Sequence, residues 1–397
     1  MPTPQPSAFA PTVLVVGAGP AGAAAAAVLA HAGVDALLVD RSTFPRAKVC
    51  GDGITPGALQ ALDELGFDRA RLGTKNPPIS RLALVSPGGR RWEPGLGEAL
   101  VVERGLFDAA VLDHAIARGA RFEPGWTVAG VSREGGALSV QATREGERVE
   151  LRPRYLLAAD GEFSAIRRAL TGEQRKPEWL ALRGYVDGVK EPPTQFEFHM
   201  TEDLRPGYGW VFPSGPGSAL GHANVGVYVP RAKGAGVALR ALYDAFVDGL
   251  GCTRGAPPQG SPITPWSPSR PARYGTTLLL GDALGCADAL SGEGIGPALR
   301  SGICAASAVV AALASGDDAL DQYGRGLHAA FAPAHRRSSM LLGALQHAPW
   351  LVDRAFSAAA ADAVLDKAVG AVVQANAHPA LFLRPDLVGR FWTAGWG

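Results

Sequence analysis

Val13-Leu14-Val15-Val16-Gly17-Ala18-Gly19-Pro20-Ala21-Gly22 constrains this chain more than any other stretch. Four apolar residues, a glycine turn and an Ala-rich run read as a buried strand, a tight loop and the start of a helix. Such a unit cradles a pyrophosphate, because the glycines permit the turn and the close backbone approach. The helix N-terminus adds unpaired N–H groups and a partial positive charge. G-x-G-x-x-G alone is a weak signal, equally at home in the turn of an ordinary α/β protein, but its context here strengthens it. Val39-Asp40 closes a second apolar run about twenty residues on, where an acidic side chain would hold a ribose hydroxyl. The pattern predicts a parallel βαβ unit that binds a dinucleotide, with Gly17, Gly19, Ala21, Gly22, Asp40 and Arg41 at the ligand.

A second strand, Leu278-Leu279-Leu280, ends in Gly281-Asp282 and is followed by Gly292-Glu293-Gly294-Ile295 and another Ala-rich helix. This arrangement resembles the FAD-contacting segment of flavoproteins with the p-hydroxybenzoate hydroxylase type of fold. The resemblance implies FAD, with Asp282 on the ribitol chain and Gly281, Gly292, Gly294 and Ile295 beside it. It also implies that the helix starting near Gly294 points its N-terminus at the flavin ring, where the dipole favours the charge of a reduced flavin.

Five further segments narrow the family: Phe44-Pro45-Arg46-Ala47-Lys48-Val49-Cys50-Gly51-Asp52-Gly53, Glu103 to Asp108, Ala159-Asp160-Gly161 with Ser164 and Arg167, Pro206 to Pro213, and Leu290 to Ile295. In this order, over roughly residues 11 to 310, they resemble the geranylgeranyl reductase family of FAD-dependent oxidoreductases, relatives of the flavin monooxygenases and halogenases. Cys-Gly-Asp-Gly and Tyr-Gly-Trp-Val-Phe-Pro are the discriminating pieces. The resemblance implies that Cys50 and Gly51 lie near the flavin ring and that Arg104 and Asp160 contact the cofactor. It further implies reduction of carbon–carbon double bonds in an isoprenoid or other apolar substrate, such as a geranylgeranyl lipid or a polyprenyl quinone tail. A flavin-dependent monooxygenase or halogenase of a secondary-metabolite pathway is the alternative, and a flavoprotein modifying a protein partner is a third. The halogenase strand Trp-x-Trp-x-Ile-Pro is only partly echoed by Tyr208-Gly209-Trp210-Val211-Phe212-Pro213.

At 397 residues, 47% hydrophobic and 19% charged, the chain can bury two joined lobes. A net charge of +1 without a Lys/Arg cluster argues against nucleic acid. Four cysteines form neither a metal pattern nor a disulfide framework, so reduced thiols and a cytoplasmic location are expected, with no metal. Pro2, Pro4, Pro6 and Pro11 mark a disordered lead-in rather than a signal peptide. The apolar window Val13 to Leu29 suits strand–turn–helix better than a membrane span.

The fold class expected is α/β. A Rossmann-type FAD-binding lobe (residues 11–75, 101–170 and 266–321) is interleaved with a β-sheet substrate lobe (76–100 and 171–265), and a C-terminal helical cap follows (322–397). Short strands are expected over Ile79 to Val85 and Arg91 to Leu100, a helix over Phe107 to Arg118, a β-meander over Trp126 to Val149 and a buried strand over Tyr155 to Ala159. The cap either packs on the body, closes over a greasy substrate or faces a membrane as a peripheral contact. Only one strand–glycine–helix unit is present, so NAD(P)H must dock transiently near the flavin or a separate protein must donate electrons.

Tyr208, Trp210 and Phe212 alternate along a strand and would share one face, as a pocket wall or as sheet core. With Cys50 they are the candidate catalytic positions, Tyr208 and Trp210 foremost. Cys50 is open between proton donor, redox thiol, substrate contact and small buried residue. Asp52, in the same loop, is expected to serve turnover more than binding. Arg46 and Lys48 are anion contacts or solvated loop charges, with Arg46 read as solvated. His199, His222 and His335 stand in unrelated segments without metal or nucleophile spacing.

Overall fold

The computed structural model describes residues 10–74, 76–172, 174–189, 195–214, 221–235, 238–373 and 384–394, so most of the proline-rich lead-in lies outside the described residues. The run Val13–Val16 forms a fully buried strand at the centre of a six-stranded sheet. Ala36–Asp40 and Arg121–Pro124 lie to one side of it, and Tyr155–Ala158, Thr277–Leu279 and Arg273–Tyr274 to the other. All neighbours pair in parallel except the last two, which are antiparallel. The helices Pro20–His31 and Ile295–Ser315 pack so closely that a β-carbon at Gly302 would sit 2.1 Å from the Ala21 carbonyl oxygen. Alanine-rich faces permit this approach, and one core joins the parallel sheet, these helices and the inner face of the strands Trp126–Glu134 and Ala137–Arg144.

Segments far apart in sequence share the second large sheet, which has ten strands. Trp179–Asp187, Ala223–Pro230, Tyr208–Pro213 and Phe196–His199 run antiparallel to one another. Ile79–Val85 joins parallel to Phe196–His199, and Gly95–Val101 then connects it to Gly53–Ile54, the strand that leaves the Cys50 loop. The meander Trp126–Glu134, Ala137–Arg144 and Glu147–Leu151 is a separate three-stranded sheet.

Two local expectations need correction, and one strand is an addition to them. Arg91 to Leu100 is two strands, Arg91–Trp92 and Gly95–Val101, divided by Glu93-Pro94, since proline has no N–H for the ladder. Arg121–Pro124 is an added edge strand of the parallel sheet. Within the strand-rich segment, Ala238–Leu250 is a helix; Leu239, Leu242, Tyr243, Phe246, Val247 and Leu250 recur at helical spacing and cover the outer face of the large sheet.

After Leu320 the described chain is helical: Asp321–His347, Pro349–Ala361, Ala363–Val373 and Pro385–Thr393. Phe356 packs on Trp92 with ring centres 5.3 Å apart, Trp92 Nε1 donates to Asp366 at 2.6 Å, and Gly88 N–H donates to Asp353 at 2.7 Å. These helices therefore grip the large sheet along the strands Ile79–Val85 and Arg91–Trp92. Met340, Trp350, Val364, Val388 and Trp392 remain exposed on them. One helix, Ile295–Ser315, is long and apolar enough to cross a membrane by length and composition. Here Ala305, Ala306, Val309 and Ala312 of that helix are buried in the core of the α/β layer.

Candidate active site

A cavity of about 550 Å³ lies between the two large sheets. Gly17, Gly19, Ala21, Asp40 and Arg41 line it from the first βαβ unit, Cys50 and Gly51 from the next loop, and Arg104 and Asp160 from two later ones. Gly281, Asp282, Gly292, Gly294 and Ile295 close that side, while Tyr208 and Trp210 face them from the large sheet. Of the positions read as cofactor contacts, Gly22 alone does not line the cavity. A β-carbon there would fall 1.8 Å from the Gly17 carbonyl oxygen, so its task is helix-to-strand packing rather than ligand contact.

The glycines divide their work. Gly17 has φ of +100°, and a β-carbon on it would lie 2.2 Å from the Ala159 carbonyl oxygen, so the fold itself demands glycine. Gly19 has φ of −69° at the helix N-cap, and its nearest neighbour would be Arg46 Nη2 at 3.5 Å. Its missing side chain leaves room in the cavity alone. Asp40 accepts from Ala18 N–H at 2.7 Å and Ser42 N–H at 2.8 Å, which fixes the acidic strand end against the glycine turn. Asp160 has one buried oxygen, Oδ1, without a partner among the described residues, and burial pushes its carboxyl up.

The Cys50 loop is held by a buried polar knot that the sequence did not announce. Asp52 is 1% exposed, sits at φ of +65°, and does not line the cavity. Its carboxylate accepts from Tyr185 OH at 2.7 Å, Asn224 Nδ2 at 2.8 Å and Arg104 N–H at 3.3 Å. Burial raises the Asp52 carboxyl, and these donors with the Arg183 charge pull it back. Asn224 also donates to the Cys50 carbonyl at 3.0 Å and accepts from Trp210 Nε1 at 3.1 Å. One asparagine thus ties loop and aromatic strand together. A lone polar residue inside Ala223-Asn224-Val225-Gly226-Val227 was the available signal.

Cys50 itself is half-buried at the cavity wall; desolvation pushes its thiol up, and the neighbouring Arg104 draws it down. Arg104 is forked onto the fully buried Asp108 at 2.8 and 3.0 Å. Arg46, read as solvated, instead lies 3.3 Å from the same Asp108, stacks over Phe44 and lines the cavity. Two guanidiniums around one buried carboxylate leave a net positive charge at this end. Lys48 lines the cavity as well.

Tyr208, Trp210 and Phe212 do share one face, joined there by Phe196, Phe198 and Tyr228. Wall and core are one and the same: Trp210 is 6% exposed and Phe212 8%, and both belong to a continuous cluster with Phe356 and Val369 of the C-terminal helices. Behind Trp210, the facing Gly226 would clash through a β-carbon at 2.2 Å from the indole. The hydroxyls of Tyr208 and Tyr228 donate to the carbonyls of Ser291 and Ala289, locking the wall to the loop before Ile295–Ser315. His199 and His222 pair with Glu197 and Asp187, and His335 packs edge-on to Trp266. No cluster of metal-ligating residues occurs among the described residues.

Known proteins share this plan. Residues 11–203 match the FAD binding domain family. The menaquinone reductase of Mycobacterium tuberculosis is 33% identical over 357 residues, covering 83% of each chain. A digeranylgeranylglycerophospholipid reductase of Methanopyrus kandleri is 33% identical over 321 residues, covering 77% of this chain and 82% of the other. A geranylgeranyl bacteriochlorophyll reductase-like protein of Thermoplasma acidophilum superposes with a TM-score of 0.81 over 97% of this chain and all of its own; at 24% identity that likeness shows the fold. A chain that carries the glycine cradle, the Cys50 loop and the aromatic strand, at this identity over this length, belongs to the geranylgeranyl reductase family of FAD-dependent oxidoreductases.

Proposed function

We propose that this enzyme reduces carbon–carbon double bonds of an isoprenoid chain, carried by a lipid or a quinone, against FAD bound between the two sheets. The observation that carries this reading is the shared cavity, in which a glycine cradle faces an aromatic wall. Bound FAD, once reduced, supplies the hydride. Gly17, Gly19 and Ala21 would hold its pyrophosphate, Asp40 and Arg41 its ribose end, and Gly281, Asp282, Gly292, Gly294 and Ile295 the ribitol and ring. The open backbone at Gly19 and the orphaned Asp160 oxygen suit a polar ligand there. Tyr208, Trp210 and Phe212 would exclude water and lay a flat, apolar chain along the ring. Reducing equivalents would come from NAD(P)H docking at the same cavity or from a protein donor.

The test is an anaerobic single turnover. Protein loaded with FAD and reduced with dithionite is mixed with a polyprenyl quinone or a geranylgeranyl lipid. Reoxidation of the flavin together with a product heavier by two hydrogens is expected. A long-lived peroxyflavin spectrum after oxygen is admitted, with the alkene untouched, would favour the monooxygenase or halogenase reading instead. Such substrates reside in membranes, and the exposed Met340, Trp350, Val364, Val388 and Trp392 suit a peripheral contact. Phospholipid vesicles should sediment the wild-type protein, and replacing Trp350 and Trp392 by serine should release it without lowering the melting temperature.

A further inference from the structure

Glu293 stands where the two halves of the cavity meet. It precedes the helix Ile295–Ser315 by two residues and lines the cavity beside Gly292 and Gly294, opposite Tyr208 and Tyr228. Its Oε1 accepts from Gly296 N–H, in the first turn of the helix, at 2.6 Å. The loop around it is rigid: Asp288 N–H donates to the Glu293 carbonyl at 2.9 Å, and both wall tyrosines donate to Ala289 and Ser291.

The surroundings decide its protonation. Asp288 is the carboxylate that pushes on it, but its own charge is met by Leu290 N–H, Ser291, Ser338 Oγ at 2.6 Å and Arg337 at 3.6 Å. No cation pairs with Glu293 among the described residues. Tyr208 faces it from the large sheet and Cys286 from the preceding segment; Tyr228 packs on the adjacent Gly292, Asp282 lies beside Gly294, and the turn Thr55 to Leu59 packed nearby carries no ionisable side chain. Burial, with a smaller push from Asp288, raises the Glu293 carboxyl to about 7, against the pull of the Gly296 and Ile295 N–H groups. Tyr208, Tyr228 and Cys50 hold their protons too tightly to serve: burial raises each above an already basic value.

We propose that Glu293 is the proton donor of the reaction, the group that completes the saturation of the double bond. This rests on the alkene-reductase reading above. The double bond takes a hydride at one carbon, from two-electron-reduced FAD, and its π pair takes the carboxyl proton of Glu293 at the other. Two C–H bonds form; the π bond, the Glu293 O–H bond and the hydride's bond to the reduced cofactor break. The alkene is reduced as the cofactor is oxidised by two electrons, and the carboxylate is left on the N–H groups of the helix N-terminus, whose dipole stabilises it. A proton from solvent restores the acid before the next turnover.

Glu293→Gln keeps the acceptor for Gly296 and removes the proton. In protein loaded with FAD, single-turnover oxidation by the alkene should slow by about 100-fold or more, with flavin occupancy and visible spectrum retained. The wild-type rate should fall as pH rises through about 7, where the acid is lost, and that limb should vanish in the variant. Infrared titration of the resting protein gives a readout apart from activity: a carboxylic-acid carbonyl band should disappear near neutral pH in wild type and be missing in the variant. Glu293→Asp, which keeps the acid, should restore part of the rate and the pH limb. A wild-type protein that reduces the alkene while Glu293→Gln matches its rate and pH profile overturns the assignment alone, as does a band that titrates in the ordinary carboxylate range. A wild-type protein that leaves the alkene intact removes the reductase reading and the donor with it.

Discussion

The two walls of the cavity are built from different materials. The glycine side is backbone: glycines at fixed φ, N–H groups at helix starts, and a strand-end carboxylate that spends its oxygens on neighbouring N–H groups. The opposite side is side chain: six aromatic rings on a sheet, held by one asparagine and a buried aspartate. A backbone site tolerates almost no change at a few positions and is indifferent at others. A side-chain wall spreads its free energy over many contacts, each replaceable at a finite cost.

Gly17 and Gly19 offer the hardest test of that contrast, with the largest effect. Gly17→Val forces a branched residue to φ of +100° and into the Ala159 carbonyl, so folded protein should be lost outright, as read by circular dichroism of the expressed protein. Gly19→Val meets nothing but an arginine tip, so it should melt near the wild-type temperature while failing to retain FAD. Equal melts for the two variants would break the division between folding glycine and binding glycine.

Trp210→Ala comes next. Removing a ring that is both wall and core should cost about 3–5 kcal/mol in denaturant titrations, and it strands Asn224 Oδ1 without its donor. Its folded fraction should also react slowly with substrate, because the same ring bounds the cavity. A stability loss with a normal single-turnover rate would reduce Trp210 to core. Asp52→Asn sharpens the joint between the walls at smaller cost. Asparagine tolerates the positive φ but presents a donor where Tyr185 and Asn224 also donate, so about 1–3 kcal/mol of stability should go. FAD affinity should hardly move, since Asp52 touches none of the cavity.

This contrast also explains what could be read from sequence. Gly17, Gly19 and Gly281 were legible because backbone chemistry admits few residues at such positions, and the parallel strand before each followed from an unbroken apolar run. The alternation of Tyr208, Trp210 and Phe212 gave the face but not its neighbour, since a strand pattern does not say which sheet will lie opposite. The Tyr185 contact and the tie from Asn224 to the Cys50 loop were hidden for the same reason: each gains meaning only when Asp52, more than a hundred positions away, converges on it. The burial of Glu293 likewise depends on a distant strand, that of Tyr208. Arg46 misled because a charged loop residue resembles any other until its partner, Asp108, is located in space. The helix Ala238–Leu250 was readable from its apolar spacing and was masked by the strands around it.

Gly226 has a consequence for how the family could change its diet. It lies outside the cavity, yet it sets how far back the Trp210 indole can recline, since any β-carbon there would strike the ring and the Leu182 carbonyl oxygen. The bore of the chamber is therefore governed from behind the wall, by an absence of atoms in the next strand. A lineage enlarging this one residue would push the indole forward and narrow the passage for the chain, without replacing a single surface that the substrate meets.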